Sequence, residues 1–152
     1  DMKTLTASTL ALTIAGTAAF AETHMTDYSN VDSMQMNEMR GDLIRSRDIT
    51  GGEIYTLNEA GDEWSPNTAY NEIGADWNEI GEIEDIVLSK NGQMVGIVAE
   101  VGGFLDIGDK HVMISTPDVN LVAVDDQTYA YVTRLSEEEL EALPGVDEGF
   151  WD

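Results

Sequence analysis

Residues 80–115, IGEIEDIVLSKNGQMVGIVAEVGGFLDIGDKHVMIS, restrict the possible folds more than any other part of the chain. They read as two apolar strands joined at Asn91-Gly92, a glycine-broken corner, and a third strand. Asn-Gly between β-rich runs predicts a type I′ hairpin turn, because both residues tolerate φ > 0. Gly102, Gly103 and Gly108 then bracket Phe104, Leu105 and Ile107. Glycine permits a sharp backbone corner there while the apolar trio folds over the end of a sheet.

Strand signals continue on both sides of this block. Residues 43–49 and 52–57 alternate loosely around Thr50-Gly51-Gly52, which suggests a first strand or a hairpin with a bend. Residues 81–88 begin with acids interleaved with Ile83 and end fully apolar at Ile86-Val87-Leu88. Residues 94–101 are apolar almost throughout, the pattern of a strand buried on both faces. Residues 110–115, 121–125 and 128–133 follow, with Pro117 and Asp125-Asp126-Gln127 between them. In the last of these, Tyr129, Tyr131 and Thr133 share one face, and Ala130 and Val132 the other. Ser136 then N-caps a short helix, with Glu139 completing a capping box and Leu135 and Leu140 a hydrophobic staple. Glu137, Glu138 and Glu139 suit the positive end of its dipole. Pro144-Gly145 stops it, leaving Leu140 and Leu143 to face the sheet.

Between the first strand and this block, residues 58–78 interrupt the pattern with Pro66, Trp64, Tyr70 and Trp77. Unstructured loops of this length are uncommon in compact domains. Asn71-Glu72-Ile73-Gly74 recurs as Asn78-Glu79-Ile80-Gly81, and only the second copy runs into a strand.

At 152 residues the chain is long enough for one domain plus ends. Lys3, an apolar run over residues 5–20 and the small-x-small step Ala19-Phe20-Ala21 read as a secretory signal peptide cut after Ala21. An uncleaved anchor is the alternative, but the run is shorter than the roughly 20 residues that a spanning helix needs. Residues 22–39 carry no sustained apolar period and read as a flexible linker, the domain occupies residues 40–146, and residues 147–152 form a tail. The expected address is therefore the periplasm. Export implies an oxidising compartment, yet the chain has no cysteine, which excludes disulfides, thiol catalysis and thiolate metal sites.

Thirty acidic against 7 basic residues give a net charge of −23. Such a surface repels nucleic acid and anionic membrane, which need clustered Lys and Arg. Partners should be cationic, neutral or divalent metal ions; adaptation to salty surroundings is the plainer account of the same charge.

Together these strands resemble a PRC-barrel domain, the small β-barrel named after the cytoplasmic part of the photosynthetic reaction-centre H subunit. Members show an Ile-Gly step into an acidic-then-aliphatic strand with an aspartate, matched by Gly81 and Asp85, then a turn, matched by Asn91-Gly92. Their Gly-Gly-Phe-Leu-x-Ile-Gly-x-Lys corner is matched by Gly102, Gly103, Phe104, Leu105, Ile107, Gly108 and Lys110. The Leu-Ser-x-Glu-Glu-Leu-x-x-Leu-Pro run at residues 135–144 is similar to the helix that follows the barrel in many members. The similarity spans residues 41–146. It departs at the 58–78 insertion, where the family's first hairpin is usually tight, and at Ser115-Thr116-Pro117-Asp118, where an aromatic often stands. The resemblance implies an all-β fold, a small antiparallel PRC-type β-barrel of about six strands with a short C-terminal helix. It also implies a non-catalytic module for binding or assembly, as in the reaction-centre subunit and a ribosome-maturation factor.

The residues themselves offer little catalytic chemistry. Only His24 and His111 are available as bases, and no nucleophile elbow, zinc-protease helix or phosphate-cradling loop occurs. His111 reads as structural or solvated, and no catalytic, cofactor or metal residue is assigned. Asp85 is read as sharing a face with Ile83 and Val87, pointing inward to accept a turn's N–H groups. The alternative function is metal binding in two versions. Glu82, Glu84, Asp85, Asp106, Asp109, Asp125 and Asp126 offer oxygen ligands to Ca²⁺. Met34, Met36 and Met39, with His24 and Met25 upstream, offer soft ligands to Cu(I), although these methionines also suit apolar filling of a short helix. Trp64, Tyr70 and Trp77 are the interaction candidates for an unidentified protein partner or a second copy of the chain. The plainer reading has them plugging the open end of the barrel.

Overall fold

The computed structural model describes residues 28–57, 64–102 and 108–147. The signal peptide, Gly103 to Ile107 of the glycine corner (Phe104 included), and Phe150 and Trp151 of the tail lie outside the described residues. The chain divides into two compact units, Asp1–Gly41 and Asp42–Asp152.

In the first unit, the segment read as linker contains a helix, α1 (Ser33–Glu38). Its cause is local. The Asp32 carboxylate accepts from the Met34 and Gln35 N–H groups at 2.8 and 2.9 Å, and the Gln35 side-chain oxygen accepts from the Asp32 N–H at 2.9 Å. This is a capping box that needs no apolar period.

The second unit is a seven-stranded sheet with a short helix. The strands are β1 (Glu53–Thr56), β2 (Ala69–Tyr70), β3 (Asn78–Leu88), β4 (Met94–Val101), β5 (Lys110–Ser115), β6 (Val119–Ala123) and β7 (Tyr129–Thr133), followed by α2 (Glu137–Ala142). Residues 43–49, read as strand, instead hold a 3₁₀ turn, Ser46–Asp48. The fork of Arg45 on Asp48, with N–O distances of 2.8 and 2.7 Å, closes it and competes with extended structure.

The sheet order is β2-β6-β7-β1-β3-β4-β5. Four pairings are antiparallel, and β1 with β7 and β2 with β6 run parallel. The edge strands β2 and β5 are not hydrogen-bonded to each other. The sheet is nevertheless curled, and chain length alone requires it. Strands β5 and β6 stand five positions apart in the order, which is about 24 Å in a flat sheet. A single 3₁₀ turn, Thr116–Asp118, joins them and reaches at most about 14 Å. The curl brings Ile114 of β5 and Val119 of β6 into one core with Ile54, Ile80, Ile83, Ile97, Val101, Tyr131 and Leu140. The curled sheet is thus closed by side-chain packing rather than by a continuous ladder.

Strand β3 carries two irregularities that set its faces. Against β1, Ile80 is skipped between Glu79 and Gly81; against β4, Glu84 is skipped between Ile83 and Asp85. Ile80, Ile83 and Ile86 consequently reach the same core at a spacing of three, although a regular strand alternates at two. Gly81 is indispensable at the first irregularity. Its φ is +154°, and a Cβ there would lie 1.8 Å from the Glu100 carbonyl oxygen.

The β3–β4 turn differs from the expected type I′ form. Gly92 N–H donates to Ser89 O at 2.9 Å, Ser89 N–H to Gln93 O at 2.8 Å, and Gly92 alone of the loop has positive φ, +90°. This is the longer loop in which a β-turn is followed by a left-handed glycine forming a bulge. The Ser89 hydroxyl bonds the Asn91 side chain, so Asn91 serves as a turn former without adopting positive φ.

Helix α2 forms as expected. The Ser136 hydroxyl accepts from Glu139 N–H, and Glu139 reaches back to Ser136 N–H at 2.8 Å. At the other end, the Lys110 ammonium donates to Glu141 O at 2.7 Å and Leu143 O at 2.6 Å. A cation on β5 therefore satisfies carbonyls that the helix terminus leaves open.

Candidate functional site

Around β6, β7 and β1 the sheet is covered on both faces. Alternation sends Tyr131, Ile54 and Leu121 inward, and sends Ala130, Val132, Tyr55 and Val122 to the back. On that back lie Trp64, Tyr70, Ile73 and Trp77 from the insertion. Tyr70 and Trp77 stack edge-to-face, with ring centroids 5.1 Å apart at 84°. Trp64 Nε1 donates to Pro117 O at 2.9 Å. The three aromatics pack on the outer face of β1, β6 and β7; they do not plug a barrel end.

Asn120 fixes this cover, and nothing in its sequence neighbourhood marks it. It is buried on β6, accepts from Thr68 N–H at 3.1 Å and donates to Ser65 O at 3.0 Å. Its amide replaces ladder partners for the loop at Pro66, so the insertion is bonded to the sheet. On β1, Tyr55 bonds the Glu53 carboxylate. Burial first, and then that carboxylate, push the Tyr55 phenol up to about 12. Burial also raises the Tyr131 phenol.

The outer face of β3, β4 and β5 is different. Glu82 stands opposite Glu100, and Glu100 opposite His111, forming a polar row across three strands. The bulge adds Glu84 to that row. Glu84, Glu100 and His111 each present a ligand atom, all within 4.8 Å of one another. His111 Nε2 lies 3.5 Å from Glu100 Oε2. Beside them a polar pocket of about 130 Å³ is lined by Gly81, Glu82, Glu100, Gly102 and Asp109. The Gly102 Cα helps shape it, since a Cβ there would meet Asp109 Oδ1 at 2.2 Å.

The same bulge corrects the reading of Asp85. The extra residue shifts Asp85 opposite Val98, away from the face of Ile83, and leaves it exposed. Its carboxylate therefore has no buried turn to serve. Of the other Ca²⁺ candidates, Asp125 accepts from the Gln127 and Thr128 N–H groups at 2.8 and 2.7 Å, which hold its carboxyl below the usual range. Asp106 lies outside the described residues, as do His24 and Met25 of the copper candidates. Met34 and Met36 are exposed on α1, and Met39 is its C-cap. Among the fold-defining glycines, Gly108 has open space where a Cβ would sit, so its place in the corner is not enforced by packing. Sequence reasoning kept His111 and the β3 acids apart and passed over Glu100. Strand register alone unites them.

Two residues along β5 from His111, on the same face, Met113 is 47% exposed, while Leu88 of β3 and Val95 of β4, 57% and 46% exposed, lie at the end of those strands near their turn. Beneath Met113, the segment Pro144 to Val146 joins the β5 edge through a Val112–Gly145 bridge and a Val146 N–H to His111 O bond of 2.8 Å. Met113, Pro144, Gly145, Val146 and Asp147 line a mainly apolar groove of about 400 Å³.

Comparison with curated proteins found no match. Comparison with known families matched residues 67–135 to the PRC-barrel domain. That span runs from the anchored insertion through β7, and so contains every strand except β1. The β-rich fold, the curled sheet and this match agree: residues 67–135 carry a PRC-barrel domain, a fold associated with protein interaction.

Proposed function

We propose that this protein is a non-enzymatic, exported interaction module whose partner docks in the groove along the β5 edge. One observation carries the reading: Met113, 47% exposed on β5, lines a mainly apolar groove of about 400 Å³ with Pro144, Gly145 and Val146. Exposed apolar surface of this kind marks interaction sites. The insertion aromatics are committed to the back of β6, β7 and β1, so the contact surface moves away from them. The absence of nucleophile motifs in the sequence supports a binding role over a reaction. The periplasmic address rests on Lys3, the apolar run over residues 5–20 and Ala19-Phe20-Ala21.

Affinity capture from the envelope fraction of the native host tests the docking surface. A specific partner is expected to be lost with Met113→Glu and Val146→Glu, and retained with Lys90→Ala on the β3–β4 turn. Retention by the two glutamate variants refutes the surface. Sedimentation analysis of the same variants reports whether a second copy of the chain is that partner.

A further inference from the structure

We propose that Glu84, Glu100 and His111 form a binding site for a divalent first-row transition cation, with coordination positions left for water or an external ligand. The inference is independent of the docking surface.

The donors come from three adjacent strands, β3, β4 and β5, whose ladders fix their backbones. Glu100 and His111 are direct cross-strand neighbours, and the β3 bulge supplies Glu84 as the third. This is more than a group of surface acids. An imidazole is the central donor, and its Nε2 is withdrawn from solvent on the side of the carboxylates. The ligand atoms lie within 4.8 Å of one another. Bonds of about 2.0–2.2 Å to nitrogen and carboxylate oxygen bring donors to about 3.3 Å apart in a tetrahedral site. Rotation of the two flexible glutamate side chains covers that difference, while the ladder keeps His111 in place.

The donor set selects the class of ion. One imidazole with two carboxylates suits Zn²⁺, Mn²⁺ or Fe²⁺, whereas Ca²⁺ takes about 6–8 oxygen ligands. Three protein ligands leave the remaining positions open. The neighbouring cation does not compete: the Lys110 ammonium is held by Glu141 O and Leu143 O. The net charge of −23 raises the local concentration of cations around the site.

Calorimetric titration of the full chain with Zn²⁺, in about 0.15 M salt to screen diffuse attraction, tests the proposal, with Co²⁺ absorption as a second readout of coordination. A single equivalent should bind more tightly than Ca²⁺ does. His111→Ala and Glu84→Gln should each weaken it by at least about tenfold, and His24→Ala and Asp125→Asn should leave it unchanged. Weak multi-site binding equal for Zn²⁺ and Ca²⁺, or tight binding that survives His111→Ala, overturns the site. Circular dichroism confirms that each variant is folded. If His111→Ala is not, Glu100→Gln serves instead, and its retained tight binding overturns the site equally.

Discussion

Glu84 shows how much one residue can redirect on this scaffold. Skipped in the pairing with β4, it shifts the alternation so that Ile86 reaches the core, Asp85 turns to solvent, and a carboxylate joins Glu100 and His111. Gly81 acts on the same strand through space. A methyl group there would strike the Glu100 carbonyl oxygen at 1.8 Å, so Gly81→Ala should cost about 2–4 kcal/mol through backbone strain and a disturbed β3–β4 ladder. Urea unfolding measures this, and an unchanged midpoint would contradict the close approach. Tyr55 gives a prediction in pH. Its phenol titrates near 10.0 when free and at about 12 when folded, so the folded state holds the proton more tightly. The associated stability is complete below pH 10 and drains away between about 10 and about 12. The melting temperature should fall across that window, and Tyr55→Phe should flatten the part of the fall that this phenol causes.

Among the elements, α2 was the most legible in the sequence, because each of its signals is local: Ser136, Glu139, the Leu135–Leu140 pair and Pro144 lie within a few residues of one another. What the sequence concealed was its C-terminal partner, Lys110, which is 31 residues from Glu141. Ser136→Ala should cost about 1 kcal/mol, and Lys110→Met, which removes two charge-assisted bonds, about 1–3 kcal/mol. Thermal unfolding of the two variants compares the caps, and a silent Lys110→Met would mean that water replaces the ammonium at no cost. The insertion was harder to read. Its aromatics were conspicuous, but their destination depends on Asn120, more than fifty positions from Ser65 and Thr68. The apparent linker hid α1 for the opposite reason: a capping box of polar residues stabilises one short helix without an apolar stripe to reveal it.

For the whole molecule, charge and topology act together. A net charge of −23 on a small curled sheet makes self-repulsion a term of long range. Raising ionic strength from about 0.01 to 0.15 M shortens the screening distance from about 30 to 8 Å, so the melting temperature should rise; a flat or falling curve would mean that the acids are already compensated locally. Periodicity and turn chemistry in the chain were enough to give the β class, most strand positions, the terminal helix and the PRC-barrel resemblance, because alternation, capping and glycine corners act over a few residues. Strand order, the parallel partners β1–β7 and β2–β6, the curl forced by the short β5–β6 link, and the meeting of Glu84, Glu100 and His111 followed from long-range packing alone. Those features join segments far apart in sequence, and the free energy that selects among such pairings resides in the assembled core, where no local pattern records it.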